Sequence, residues 1–244
     1  MPKSKVAIIG GTGYASLSFL KRSRYSFALT KFGVVLLKKG EFGGHTVYYL
    51  PRHGFRYSCP PHLINYRANL KALQTLKVDY ILATSAVGTI SDKFKPGDLV
   101  LLSDFIDFSK KREGTFCKKG RLKFTDVTEP YSVKLREKML AAAKALNITV
   151  HPEGVYVCAE GPRFETKAEI KAFEVLGGEL VGMTNTPEVV LANELGIPYA
   201  TLAIVTNLAA GKGDHPLTES EIEIMMKQRN EEISLLFQKT IEQL

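Results

Sequence analysis

Short apolar runs of strand length alternate with segments of helical periodicity along this chain. The sequence contains no linker, low-complexity segment or repeat, so residues 1–244 are expected to form a single domain. Strands that alternate with helices predict an α/β fold with a mixed, mainly parallel central sheet flanked by helices. The runs that predict strands are residues 5–9, 34–37, 45–50, 79–85, 99–102, 155–159 and 198–205. Residues 154–194 are expected to form a strand, an irregular loop, a helix, a further strand before Thr184 and a second helix.

Helices are predicted by apolar stripes and by capping residues. Ser132 and Asn147 bracket one helix, and Thr218 with Glu221 forms the capping box of the last one. Residues 109–130 carry many charges and no clear period, so we expect a long excursion that folds over a site or reaches a neighbouring subunit. The stripe after Pro60-Pro61, expected to face the core, is Leu63, Tyr66, Leu70, Leu73 and Leu76.

The chain carries a net charge of +8. Such a field favours anionic partners such as phosphate, nucleotides or nucleic acid. The basic residues are scattered in small groups, however, and a solvated surface explains them equally well. Charge alone therefore leaves open both a phosphate-binding enzyme and a nucleic-acid-binding module.

The cysteines Cys59, Cys117 and Cys158 are widely spaced, which argues against a disulfide framework or a zinc ribbon. The apolar run after the N-terminal residues is too short for a signal peptide. No run approaches the ~20 residues of a membrane span. We therefore expect a reduced, cytoplasmic setting and no membrane partner.

Small, hydroxyl or cationic groups follow five of the predicted strands. In α/β sheets, ligands bind where the strands end at their carboxyl edge, so these groups are expected to form one site. Arg supplies a planar fork of donors and His one more, which together suit an anion. The groups are Gly11–Thr12, Arg52–His53, Ser85–Ala86, Thr184 and Asn207.

The glycines at 10–13 resemble a dinucleotide fingerprint only in part. Gly11-x-Gly13 is followed by Ser16 where a third glycine should stand, and no acid follows at the expected distance. A dinucleotide-dependent oxidoreductase therefore remains a remote alternative. A strand that runs into glycines and a hydroxyl also exposes backbone N–H groups that can hold an oxyanion.

The loop at 160–165 places an aromatic ring beside a carboxylate. Phe164 offers a face on which a flat heterocycle can stack, and Glu165 can accept a ring N–H. A helix N-terminus with Glu165 in its first turn would explain the same residues, because the helix dipole favours an acid there. The loop alone does not separate the two interpretations.

Taken together, these segments resemble the trimeric purine nucleoside phosphorylase and methylthioadenosine phosphorylase family over nearly the whole chain. The resemblance implies phosphorolysis, in which a nucleoside and phosphate give a free base and a pentose 1-phosphate. It implies inorganic phosphate as co-substrate with no cofactor or metal, and a homotrimer or a dimer of trimers that binds no nucleic acid. The shared motifs are GGTG at 10–13, RHG at 52–54, NYRAN at 65–69, ATSAVG at 83–88, PGD at 96–98, EGPRFET at 160–166, GMT..PEVVLA at 182–192 and TN at 206–207.

The resemblance also implies roles for single residues. Phosphate is expected among Thr12, Arg52, His53, Ser85, Thr184 and the backbone of Ala86. Met183 is expected under the ribose, and Phe164, Glu165 and Asn207 around the base. Aligned on Glu129-Pro130, Phe124 is the residue that an adjacent subunit is expected to lend to the sugar pocket. The implied catalytic residues are Asn207, Glu165 and His53.

Two positions depart from the methylthioadenosine enzymes, which have a small hydroxyl residue in place of Glu165 and an aspartate in place of Asn207. Those enzymes have a second aspartate two residues later, at the position that aligns with Ala209 here. A carboxylate accepts the N1–H of a 6-oxopurine and an amide donates to O6 or N7, whereas adenine leaves these groups unpaired. We therefore expect inosine, guanosine or methylthioinosine as substrate, with methylthioadenosine as the alternative. Glu219 aligns approximately with an aliphatic residue of the methylthio enzymes. A carboxylate there would favour a 5′-hydroxyl over a thioether, but an exposed acid at the start of the last helix explains Glu219 equally well.

Overall fold

A computed structural model describes residues 3–14, 17–120, 123–214 and 217–244; Ser16 lies outside them. Within these ranges the chain forms ten strands, five α-helices and a 3₁₀ turn at Pro61–Leu63. The strands are β1 Lys5–Gly10, β2 Lys21–Thr30, β3 Gly33–Phe42, β4 His45–Pro51, β5 Tyr80–Thr89, β6 Leu99–Leu101, β7 Asp104–Asp107, β8 Val155–Cys158, β9 Leu180–Gly182 and β10 Tyr199–Leu208. The helices are α1 Tyr66–Thr75, α2 Val133–Leu146, α3 Lys167–Val175, α4 Asn185–Glu194 and α5 Glu219–Ile241.

All ten strands belong to one mixed sheet. Its centre is parallel, because β1 pairs with both β4 and β5, and β10 pairs with β5. An antiparallel meander, β2–β3–β4, forms one side, and β9, β8 and β7 form the other. The predicted α/β architecture with a mixed, mainly parallel sheet is confirmed.

The central strands are covered on both faces, which explains why they read as continuous apolar runs. Successive residues of β1 point to opposite faces. Ala7 and Ile9 pack in the core that includes α1 and α4 residues, whereas Val6 and Ile8 pack in the core that includes α2 and α5 residues. No helix in the described ranges combines the length and apolar character that a membrane crossing requires.

The predicted helix termini are confirmed. The Ser132 hydroxyl accepts from the Leu135 N–H at the start of α2, and Asn147 ends that helix with a left-handed φ of 54°. Thr218 and Glu221 form the capping box of α5. Local hydrogen bonds of this kind depend only on neighbouring residues, which is why the sequence reveals them.

Two predictions about the first third of the chain were wrong or incomplete. Leu63 is 64% exposed because it lies in the 3₁₀ turn before α1, off the helical stripe. Strand β2 was not predicted, although the hairpin of β3 and β4 around Gly43-Gly44 was. Most of β2 is exposed, including Tyr25 and Phe27, so its sequence lacks the buried alternation that identifies a strand.

Strands β5 and β10 continue beyond their predicted ends. Ser85, Ala86 and Asn207 therefore lie inside strands and do not follow them. The two strands pair with each other as far as Leu208 and Thr89. This pairing between β5 and β10 keeps the small and hydroxyl residues in an extended conformation. Their side chains alone do not favour that conformation strongly enough for the sequence to reveal it.

The excursion at 109–130 is largely irregular where it is described. It is anchored on the rest of the chain by the buried side chain of Arg112, which donates to the carbonyls of Glu160 and Thr186 at 2.7 Å each. Glu194 of α4 accepts from the Thr115 hydroxyl at 2.9 Å. The excursion thus lies against α4 and the loop that leads to Phe164.

Candidate active site

A pocket of about 350 Å³ opens at the carboxyl edge of the sheet. Strand β1 pairs with β5 only as far as Ala83, and β9 pairs with β5 only at Gly88 and Thr89. The edge of β5 between these pairings is open, and Ala86, Val87 and Gly88 line the pocket there. The Arg52 guanidinium donates to the Thr84 carbonyl on this edge. Because backbone groups alternate along a strand, the Ala86 N–H points to the same side.

One end of the pocket is lined by residues suited to an anion. Gly11 and Thr12 follow β1, and the Gly11 N–H donates to the Thr84 hydroxyl at 3.0 Å. A Cβ on Gly11 would lie 2.8 Å from Nη1 of Arg52, so a side chain there would displace the guanidinium. The Thr12 hydroxyl lies 2.6 Å from the hydroxyl of Tyr57, a pocket residue that the sequence did not reveal.

Arg52 is held by a buried ion pair with Glu188, another residue that the sequence did not single out. Its Nε and Nη2 donate to the Glu188 carboxylate at 2.8 and 2.7 Å, and its Nη1 donates to the Thr84 carbonyl at 2.8 Å. Both side chains are fully buried. Burial opposes the charge of Arg52, but Glu188 more than offsets it and keeps the pKa of Arg52 above its ordinary value. Among the described residues, two of the five guanidinium N–H bonds have no partner.

His53 differs from the sequence expectation. Its Nδ1 lies 2.8 Å from the Cys59 carbonyl, which can only accept, so Nδ1 carries the proton. Burial lowers the pKa of His53, with Arg52 adding to the effect and the Cys59 carbonyl opposing it. The ring is therefore neutral at pH 7, and Nε2 is an acceptor. It suits a protonated phosphate oxygen or a sugar hydroxyl better than a bare oxyanion.

The anion end is rich in hydrogen-bond donors but carries little net charge. Glu188 cancels the charge of Arg52, and His53 is neutral. Within the described residues, no lysine lines the pocket. The excess of basic residues is therefore a property of the protein surface and not of this site.

A second group of lining residues, called the base end below, suits a flat polar group. Phe164 and Glu165 both line the pocket, and Glu165 is only 9% exposed. Its Oε1 is buried and has no hydrogen-bond partner among the described residues. Burial raises the pKa of Glu165; its own backbone N–H opposes this rise and Glu169 adds to it.

The helix-start interpretation of Glu165 does not hold. Helix α3 begins at Lys167, and its N-terminus is capped by Thr166 and Glu169. Glu169 also binds Arg163 at 2.7 Å. The dipole and the capping role therefore belong to Glu169, and the Glu165 carboxylate is left for the pocket.

Asn207 reaches the pocket through an irregularity in β10. The pairing with β5 shifts between Val205 and Asn207, which re-aims the side chain. The Asn207 Oδ1 lies 2.7 Å from the Thr206 hydroxyl, and its Nδ2 donates to the Leu208 carbonyl at 2.8 Å. The second amide N–H has no partner within the described ranges of the chain. A Cβ on Gly88 would lie 3.0 Å from this Nδ2, so Gly88 makes room for the amide.

Met183, Thr184 and Ala209 also line the pocket. A further group of lining residues, called the 5′ end below, belongs to the segment at the start of α5. Two carboxylates one helical turn apart, Glu219 and Glu223, lie there. Glu223 was not predicted. The aliphatic side chains of Leu217 and Ile222 complete this end.

Two predicted site residues lie outside the pocket lining. Ser85 lies inside β5 and is 2% exposed. Phe124 is 86% exposed on the excursion. The remaining predicted residues converge: Thr12, Arg52, His53, Ala86, Phe164, Glu165, Met183, Thr184, Asn207, Ala209 and Glu219.

Known proteins resemble this chain over nearly its whole length. The family model described as the phosphorylase superfamily matches residues 5–242. A probable 6-oxopurine nucleoside phosphorylase from Thermococcus kodakarensis is 46% identical over 245 residues, covering 98% of this chain and 92% of the relative. A probable S-methyl-5'-thioinosine phosphorylase from Methanopyrus kandleri is 46% identical over 240 residues, with 98% and 92% covered. The solved structure of methylthioadenosine phosphorylase from Schistosoma mansoni in complex with adenine gives a TM-score of 0.93 at 32% identity, with 98% and 91% covered.

Proposed function

The chain belongs to the phosphorylase superfamily, and from this premise we propose that it is a purine nucleoside phosphorylase acting on 6-oxopurine nucleosides in purine salvage. The observation that carries the substrate assignment is that Glu165 lines the pocket and that its buried Oε1 has no hydrogen-bond partner among the described residues. An acceptor in that position is costly unless a ligand donates to it. Relatives at 46% identity are named for 6-oxopurine and methylthioinosine substrates.

The base end complements a 6-oxopurine by hydrogen bonding. Hypoxanthine and guanine present a donor at N1 and an acceptor at C6. Glu165 accepts from N1–H, while the free N–H of Asn207 donates toward O6 or N7. Adenine presents the opposite pattern, and each buried group it leaves unpaired costs about 1–3 kcal/mol. Phe164 supplies the apolar face for the ring.

The reaction follows from the order of groups along the pocket. The glycosidic bond loosens first, so positive charge develops on the sugar and negative charge on the departing purine. Phosphate held by Arg52, Thr12 and Thr184 stabilises the sugar cation and then adds to C1′. Asn207 stabilises the purine anion while Glu165 retains N1–H. These contacts strengthen as charge builds, which is the condition for catalysis.

The 5′ end bears on the choice between nucleosides. Glu219 and Glu223 offer acceptors for a 5′-hydroxyl, whereas Leu217 and Ile222 suit a methylthio group. Inosine and guanosine fit the carboxylates, and 5′-methylthioinosine fits the aliphatic pair. All three share the base that Glu165 selects.

Methylthioadenosine phosphorolysis is the second candidate. It is supported by the structural similarity to the Schistosoma mansoni enzyme and by the same aliphatic pair at the 5′ end. Glu165 and Asn207 disfavour it, because the Glu165 carboxylate would face the bare acceptor N1 of adenine and the Asn207 N–H would face its 6-amino group, which also donates. A dinucleotide-dependent oxidoreductase has no comparable support.

We propose that the protein acts as a homotrimer or a dimer of trimers in the cytoplasm, with phosphate as co-substrate and no cofactor. The exposure of Phe124 is consistent with its insertion into a neighbouring pocket. The apolar side chains of Phe27 and Leu29 on β2, each 73% exposed, also favour contact between subunits. All three cysteines are free thiols, in keeping with a reducing compartment.

The decisive experiment measures phosphate-dependent release of base from inosine, guanosine, adenosine and their 5′-methylthio analogues side by side. We expect both 6-oxopurine series to be cleaved at least tenfold more efficiently than the adenine series. Preference for adenosine or methylthioadenosine would overturn the assignment. EDTA should leave the rate unchanged, and sedimentation should show a trimer or its dimer.

A further inference from the structure

Glu188 does not line the pocket, yet it controls the arginine that does. Its carboxylate accepts from Nε and Nη2 of Arg52, and the Tyr199 hydroxyl donates to the same carboxylate at 2.7 Å. Both members of the ion pair are fully buried. We propose that Glu188 is a positioning residue for phosphate, which fixes the Arg52 guanidinium in one plane at the anion end of the pocket. This inference rests on the proposed phosphorolysis.

The geometry leaves a defined pair of donors. Glu188 occupies one N–H on Nε and one on Nη2, and the Thr84 carbonyl occupies one on Nη1. One N–H therefore remains on each Nη of the same planar group. Nη1 lies against Gly11, which lines the pocket. A guanidinium fixed in one plane can present this pair to a phosphate without ordering its long side chain at the moment of binding.

Glu188 also sets the charge that phosphate meets. The arginine charge is cancelled, and no lysine is found among the described lining residues. Affinity for phosphate therefore has to come from well-oriented hydrogen bonds and not from net charge. Glu188 is thus expected to help phosphate only through Arg52. Without the arginine it becomes an uncompensated buried carboxylate beside an anion site, which repels phosphate or takes up a proton.

The test is a double-mutant cycle of Glu188→Gln and Arg52→Met, with inorganic phosphate as the probe in calorimetry and as the varied substrate in phosphorolysis. Glu188→Gln alone should weaken phosphate binding and raise its KM on the order of 10- to 100-fold, with the KM for nucleoside unchanged. In the Arg52→Met background, Glu188→Gln should cause no further weakening, or should strengthen binding. A general structural role would weaken binding in both backgrounds and affect the nucleoside as well.

If Glu188→Gln folds poorly, Tyr199→Phe tests the same positioning role, and Glu194→Gln serves as its control. Tyr199→Phe preserves the ion pair and removes one bond that orients the carboxylate, so the KM for phosphate should rise roughly two- to tenfold. Glu194→Gln is the matched control, because Glu194 lies on the same helix and binds Thr115 away from the pocket. It should leave phosphate affinity unchanged.

Equal phosphate affinity in the wild type and in Glu188→Gln, or equal losses in both arginine backgrounds, would overturn the positioning role. Absence of base release from every nucleoside by the wild type would instead overturn the proposed function. The two failures are distinguishable, because calorimetry with phosphate alone requires no nucleoside.

Discussion

Glu165 and Glu169 lie close together in sequence, just before and just inside the start of α3, but they serve different purposes. Glu169 accepts from the Thr166 N–H at 2.7 Å and binds Arg163, so it closes the N-terminus of α3. Glu165, just before the helix, lines the pocket and is buried, and its Oε1 has no partner in the part of the chain that the structure describes. Because Glu169 satisfies the helix, Glu165 is free to recognise a ligand.

Replacement of Glu165 by glutamine should raise the thermal stability of the protein at neutral pH and lower its phosphorolytic activity. Burial raises the pKa of Glu165 in the folded state, so its contribution to stability is fully present below the ordinary glutamate pKa and is lost as pH rises through the raised value. Glu165→Gln should therefore have a higher Tm than the wild type at pH 7, and the difference should vanish at acid pH. Thermal unfolding across pH measures this; equal Tm values at pH 7 would contradict it.

The same variant should lower kcat/KM for inosine about tenfold, because a charge-assisted hydrogen bond is replaced by a neutral one. In the wild type, protonation of Glu165 should reduce kcat/KM at a pH above the ordinary glutamate range, and this part of the acid limb should be missing from Glu165→Gln. Glu174→Gln is the control, since this exposed carboxylate on α3 binds Lys212. An acid limb that is identical in all three proteins would argue against the role of Glu165.

Exchange of the two base-reading residues should reverse substrate preference. Glu165→Ser with Asn207→Asp removes the acceptor for N1–H and supplies one for a 6-amino group. Each corrected mismatch is worth about 1–3 kcal/mol, so the ratio of adenine to hypoxanthine nucleoside kcat/KM should rise at least about 10-fold. Paired assays with inosine and adenosine measure the ratio; an unchanged preference for inosine would count against this base-reading scheme.

Gly88 should act through Asn207. A Cβ at position 88 would lie 3.0 Å from the Asn207 amide nitrogen, so Gly88→Ala should push the amide away from the base and cost about 1–3 kcal/mol through overpacking. The KM for nucleoside should rise while that for phosphate stays unchanged. Gly114→Ala, where the new Cβ meets only Pro187 at 3.7 Å, should behave like the wild type. Equal kinetics for both variants would refute the steric argument.

Arg112 should couple the excursion to the base end. Its side chain donates to the carbonyls of Glu160 and Thr186, which flank the loop of Phe164 and the start of α4. Arg112→Met should therefore lower stability by roughly 3 kcal/mol and raise the KM for nucleoside. Arg163→Met, which removes an arginine that is 66% exposed, should cost no more than about 1 kcal/mol. Denaturant unfolding compares the two, and similar losses would contradict the proposed coupling.

Much of the architecture was predictable, because its signals are local. Apolar runs revealed β1 and β10, and the caps at Ser132 and Thr218 revealed helix starts. The exposed β2 was missed, since its pairing with β3 buries little of its own side-chain surface. Motifs identified most of the residues that converge on the pocket, but Tyr57 and Glu223 carried no signal of their own.

The sequence by itself determined the α/β class, most of the strands and helices, and the family, because hydrophobic period, caps and short motifs are read from near neighbours. Only the tertiary structure decided that Glu188, 136 residues after Arg52, cancels the arginine charge. It also decided that Nε2 of His53 is an acceptor, because the ring proton on Nδ1 is donated to the Cys59 carbonyl. Hydrogen-bond partners and burial depend on which distant segments meet, and that meeting fixes the charge and the donor pattern of the site.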